Sequence, residues 1–116
     1  MATTQELEIM QLIANAGESK TKAFAALQAV QTQDFAKARS LLAEAKAIDI
    51  AAHNAQTAMI CREFDPNHTP EPVSLLMVHA QDHYMTSQLA RDLIETLITI
   101  FEAQTTKTNV CLLYTS

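Results

Sequence analysis

The chain has 116 residues, enough for one domain with a modest core, and its 8 basic and 13 acidic side chains leave a net charge of −5. Lys and Arg cluster on no face and tryptophan is absent, so composition speaks against a nucleic-acid partner. No apolar run approaches the roughly 20 residues that span a bilayer, and the opening residues Met1-Ala2-Thr3-Thr4-Gln5-Glu6 lack the basic and apolar regions of a secretory leader. Cys61 and Cys111 have no metal-ligand spacing, and a reduced, cytoplasmic setting without membrane insertion is the expectation.

One glycine and three prolines cannot supply the closely spaced turns that strands require. Alanine, leucine, glutamine, glutamate and lysine fill the long segments, so the fold class is all-α. A first helix is predicted over 4–31. Ile9, Ile13, Ala16, Ala23, Leu27 and Val30 form its seam, interrupted by Lys20, and Leu7, Met10, Gly17 and Phe24 form an adjoining stripe. Gly17, costly inside a helix, implies close approach of a neighbouring helix.

Asp34 is a good N-cap for a second helix over 35–64, with its seam on Phe35, Ala38, Leu42, Ala45, Ile48, Ala52, Ala55 and Met59. The short connection through Thr32 and Gln33 fits only an antiparallel hairpin. The prolines of DPNHTPEP make residues 65–72 the linker. A third helix is predicted over 74–104, with its seam on Leu76, His79, His83, Thr86, Ala90, Leu93, Leu97 and Ile100. Leu75, Val78, Met85, Leu89, Ile94, Ile98 and Phe101 lie off that seam. A helix apolar on so many faces implies an oligomer with helix three at the interface. The expected domain covers residues 1–108, and residues 109–116 fit no seam and are read as a frayed tail or an appended segment.

The most polar part of helix three is Val78-His79-Ala80-Gln81-Asp82-His83. His79 and His83 are i and i+4 and share a face, and Asp82 lies about 60° from His79 on the other side. Three readings fit this pattern: a pair of satisfied structural histidines, a metal site on the His-x-x-x-His spacing, or an imidazole nucleophile that carries a phosphoryl group. The metal reading needs a third protein ligand. Phosphoryl carriage suits a neutral imidazole, which attacks and leaves readily, and His79 stands about one turn into its helix, near amides that favour an anion. On helix two, His53, Gln56 and Thr57 share a face and are candidates to line the same pocket from across the bundle.

EPVSLLMVHAQDHYMTSQLARDLIETLI closely resembles the signature helix of the lactose/cellobiose-type enzyme IIA proteins of the bacterial sugar phosphotransferase system. LIANAGESKTKAFAAL, DFAKARSLLAEA and AAHNAQTAMI resemble that family's first two helices in order and spacing. The resemblance covers about Glu6 to Phe101. It implies a homotrimer of antiparallel three-helix subunits in which His79 accepts phosphate from the histidine-containing phosphocarrier protein. The phosphate then passes to a cysteine of enzyme IIB and on to an incoming sugar of the β-disaccharide kind. It also implies that Asp82 and its two symmetry mates surround one magnesium ion, and it carries His83, His53 and Gln56 as pocket residues. Tyr84 stands where relatives also have leucine, and Ala80 where they also have glycine. The alternative from another class is a non-catalytic helical oligomer with a structural metal.

Overall fold

The computed structural model describes residues 3–115, and among these there are three α-helices and no strand: α1 Thr4–Val30, α2 Phe35–Phe64 and α3 Leu75–Thr115. Each start is built by a side chain that takes up an otherwise unpaired amide. Thr3 Oγ1 accepts from the Glu6 amide at 3.1 Å while the Glu6 carboxylate accepts from the Thr3 amide, a reciprocal capping box. Asp34 accepts from the Lys37 amide at 3.1 Å, and Ser74 Oγ from the Met77 amide at 3.1 Å.

The α1–α2 hairpin closes through Gln33, which takes a left-handed backbone conformation at φ 58° and donates its amide to the Val30 carbonyl. At the other end, Asp65 Oδ1 accepts from the Asn67 amide and starts the proline linker as an Asx turn.

The bundle is long and thin, 71 × 28 × 19 Å, and its core falls into two apolar clusters. Ala23, Ala26, Leu42, Ala45, Ile94 and Ile98 fill the hairpin end, and Ile9, Leu12, Ala16, Ala52, Met59, Ala80 and Tyr84 fill the linker end. Between them lies a polar layer. Ser19 donates its hydroxyl to the Ala45 carbonyl and Ser87 to the Ala16 carbonyl, both at 2.9 Å, and Asp49 Oδ2 pairs with Arg91 Nη1 at 3.2 Å. Ser19, Asp49 and Ser87 are all buried. A layer of this kind fixes helix register, because sliding any helix by one turn would strand these groups among alkyl side chains.

The seam where α2 meets α3 is polar along its length. Arg39 bonds Glu102 and Thr99, Lys46 bonds Glu95, Asp49 bonds Arg91, His53 bonds Tyr84 and Gln56 bonds Gln81. Apolar packing is concentrated where α1 meets its two neighbours, so α1 is the hub of the bundle.

Three expectations need correction. The seam predicted for helix three is not the one that packs inside the subunit. Ala80, Tyr84, Ser87, Ile94 and Ile98 are buried, whereas Leu76, His79, Thr86, Leu93, Leu97 and Ile100 are exposed. The physical reason is complementarity: the alanines of α1 form grooves, and the face of α3 that meets them sets Ala80 and Ser87 between Tyr84, Ile94 and Ile98. The leucines of α3 are left outward, Leu75, Leu89 and Leu93 being 85, 59 and 56 % exposed. The close approach expected at Gly17 is also absent within the chain, since a Cβ added there meets nothing within 4 Å. Finally, the helix predicted to end at 104 runs on to Thr115, because nothing after Pro72 in the sequence is a glycine or proline that would stop it. The expected frayed tail is thus helical through Thr115, and Ser116 lies outside the described residues.

Candidate functional site

His79 is the fifth residue of α3. Ser74 occupies the Met77 amide with its hydroxyl and the Val78 amide with its carbonyl, which leaves the Leu75 and Leu76 amides at the helix start for an external acceptor. Side chains of a helix tilt toward its N-terminus, so the His79 ring leans toward that positive end. His79 is exposed and His83 half-buried. Their ring centroids are 4.7 Å apart with the planes at 80°, so the edge of one imidazole meets the face of the other. This contact restricts the rotamers open to His79 while leaving it accessible.

Asp82 is exposed on the same outward side, its carboxylate in no ion pair or hydrogen bond among the described residues, and its backbone carbonyl accepts the Thr86 hydroxyl at 2.7 Å. Around it are the uncovered Leu75, Val78, Leu89 and Leu93. Among the described residues, no group of three or more His, Cys, Asp or Glu side chains is placed to hold a metal ion, so one chain supplies a single carboxylate here.

His53 and Gln56 do not join His79 within the chain. His53 Nδ1 lies 2.9 Å from the Tyr84 hydroxyl, and Gln56 Nε2 donates to Gln81 Oε1 at 2.6 Å. Tyr84 and Gln81 sit about 140° and 200° around α3 from His79, so both contacts form on the other side of that helix. The expected pocket linking His53, Gln56 and His79 across one bundle is therefore not formed, because α3 stands between them. Tyr84 is 1 % exposed and part of the core. Burial and the nearby Asp49 carboxylate push its phenol above the ordinary tyrosine range, with Arg91 opposing.

Sequence reasoning missed Asp49 and Arg91 altogether. Asp49 adjoins the predicted seam at Ile48, both positions are at helical spacing from Ala45 and Ala52, and pattern alone favours the apolar neighbour. A cavity of about 520 Å³ opens at the linker end of the bundle among Glu8, Met59, Arg62, Phe64, Pro70 and Met77, and neither His79 nor Asp82 lines it. The imidazole pair is thus a surface site, suited to a macromolecular partner more than to an enclosed small substrate. No helix among the described residues is long and apolar enough to cross a membrane.

Three antiparallel helices that display an imidazole pair from the opening turns of the last one define a helical domain with a solvent-facing histidine site. Residues 7–102 match the family described as the lactose/cellobiose-specific IIA subunit of the PTS system. Over 100 residues the chain is 43 % identical to the N,N'-diacetylchitobiose-specific EIIA component of Escherichia coli (strain K12), covering 84 % of each protein. The crystal structure of the PTS cellobiose-specific enzyme IIA from Bacillus anthracis superposes with a TM-score of 0.84 at 33 % identity, over 92 % of this chain and 96 % of that one. A IIA chain from the solution structures of the IIA(Chitobiose)–HPr complex of the Escherichia coli phosphotransferase system gives 0.74 at 39 % identity, over 90 % and 99 %. The chain belongs to the lactose/cellobiose-specific IIA family of the sugar phosphotransferase system.

Proposed function

We propose that this chain is a cytoplasmic phosphocarrier that takes a phosphoryl group on His79 from the histidine-containing phosphocarrier protein HPr and hands it to a cysteine of an enzyme IIB. The observation that carries this reading is an exposed, edge-packed imidazole at the start of a capped helix, in a chain of this family. In the first step the P–N bond of the donor phosphohistidine breaks as a lone pair of the His79 ring forms a new one. The other ring nitrogen of His79 keeps the proton that makes the ring neutral. In the second step the cysteine thiolate displaces His79 from phosphorus, forming a P–S bond and returning the imidazole. The group is never given to water, so the site needs no general base aimed at one. Positive ends of peptide dipoles at the start of α3 favour the incoming dianion. The relay is tested by supplying phosphorylated HPr and then a IIB domain: phosphate should appear on this chain and then leave it for the IIB cysteine. No uptake from HPr would refute the reading.

The uncovered leucines of α3 support a homotrimer joined along that helix, which would bring three Asp82 carboxylates to one axis. Like charges so placed must protonate or gather a cation, and three carboxylates with no nitrogen or sulfur ligand suit a hard ion such as magnesium. When bound, the ion supplies neutralising charge. Light scattering at micromolar concentration should therefore give three times the monomer mass. The Asp82→Leu variant should stay trimeric when magnesium is chelated. A monomeric wild-type protein, or an Asp82→Leu trimer that still binds magnesium, would contradict this assembly.

A further inference from the structure

The carrier reading leaves a second accessible histidine unexplained. His53 is exposed on α2, yet a protein that must hold one labile phosphoryl group at one place gains nothing from a rival imidazole at its surface. The geometry points to Tyr84 as the residue that keeps His53 from accepting phosphate. The inference concerns which nitrogen of which histidine is available, and it extends the phosphocarrier reading to selectivity among imidazoles.

The argument begins with the tyrosine. Its ring is packed in the linker-end cluster, 1 % exposed, and its hydroxyl has one partner among the described residues, His53 Nδ1 at 2.9 Å. A buried phenol that accepted from Nδ1–H would leave its own O–H without an acceptor, and buried donors are rarely left so. The phenol therefore donates and Nδ1 accepts. Burial and Asp49 hold the phenol protonated at neutral pH, with Arg91 opposing, which keeps it a donor. The proton of the neutral imidazole is then on Nε2, the nitrogen that faces away from Tyr84.

Each nitrogen of His53 is disabled by a different cause. Nδ1 has its lone pair engaged by a hydroxyl that also blocks the approach of phosphorus. Nε2, on the side of this exposed residue's ring away from Tyr84, carries the proton, so it has no lone pair in the ring plane to offer. His79 has no such constraint: its contact with His83 is edge to face, and among the described residues no hydrogen bond engages either of its nitrogens. Two exposed imidazoles are thus made chemically unlike by one buried hydroxyl, which is a positioning role for Tyr84 exerted through His53.

The test needs no protein partner, so its outcome is separate from that of the HPr relay. Phosphoramidate transfers its phosphoryl group to accessible imidazoles, its P–N bond breaking as ammonia departs and a new P–N bond forming. The His79→Gln chain is treated with it at mildly alkaline pH, and labelling of His53 is read against His68 of the same chain by mass spectrometry. His53 should stay unlabelled, and adding Tyr84→Phe should bring it to at least a tenfold higher level with His68 unchanged. Equal labelling of His53 with and without the hydroxyl would overturn the assignment. The wild-type chain gives an independent readout by nitrogen-15 NMR of its imidazoles. His53 should be a single tautomer protonated on Nε2, and protonation on Nδ1 would overturn the inference whether or not the Phe variant folds.

Discussion

His79→Gln should yield a folded three-helix chain that takes no phosphoryl group from HPr. The fold is expected to survive because the His79 side chain is exposed and, among the described residues, makes no hydrogen bond, a setting in which substitutions change stability by about 0.5 kcal/mol or less. Labelling should be abolished, not slowed, because glutamine offers no nucleophilic nitrogen. His83→Gln is the matched control. His83 is one turn farther from the start of α3 and half-buried, so it supports the His79 ring without being the group a partner reaches. That variant should still accept phosphate, more slowly or with a shorter-lived adduct as the edge contact is lost. Unchanged helical circular dichroism with no radiolabel in His79→Gln, and label retained in His83→Gln, is the expected pair of results. The reverse pair would move the nucleophile to His83.

Asp49→Ala is expected to be the most damaging single change to stability outside the apolar clusters. Asp49 is 3 % exposed and its partner Arg91 is largely buried, so removing the carboxylate leaves the guanidinium only the exposed Asp92, 3.0 Å from Nη2, as a counter-charge. Breaking a buried pair on one side costs about 3–5 kcal/mol, although the intact pair contributes little over an apolar replacement. The double variant Asp49→Leu/Arg91→Met should accordingly be far less destabilised than Asp49→Ala, and the two are compared by urea unfolding. One carboxylate oxygen of Asp49 and Nε of Arg91 are buried without a partner among the described residues, so the pair is only partly satisfied there. A loss below about 1 kcal/mol in Asp49→Ala would show that the layer is solvated and not a lock on register.

The bounds of the first two helices were legible because their signals are local. Of the predicted α1 seam, however, only Ile9, Ala16 and Ala23 are buried, with Leu12, Ser19, Ala26 and Ala29 inward in place of Ile13, Leu27 and Val30. Asp34 caps α2 where the sequence placed it, and the predicted seam of α2 holds the buried Ala38, Leu42, Ala45, Ala52 and Met59. The inward face of α3 was not legible, and the reason is physical. That helix carries two apolar stripes, one through Leu93, Leu97 and Ile100 and one through Tyr84, Ile94 and Ile98, and hydrophobic periodicity does not decide between them. Which stripe goes inward is decided by the partner: the Ala16, Ala23 and Ala26 surface of α1 leaves room for a close helix, and Ala80, Ser87 and Ile94 are the complement. The Asp49–Arg91 pair lies 42 positions apart in sequence and becomes visible only once α2 and α3 are set antiparallel. The candidate site divided in the same way. His79, Asp82 and His83 are close in sequence and were found together, whereas the partner of His53 is Tyr84, a residue whose side chain reads as core from pattern alone.

The most direct measurement is localisation of the phosphoryl group on the wild-type chain. The protein is charged through phosphoenolpyruvate, enzyme I and HPr, kept alkaline so that phosphohistidine survives, cleaved, and the fragments sequenced by mass spectrometry without an acidic step. The account predicts one phosphate per chain, on His79, with His53, His68 and His83 unmodified. Phosphate on His83 or His53, or none on any histidine of a folded chain, would contradict it.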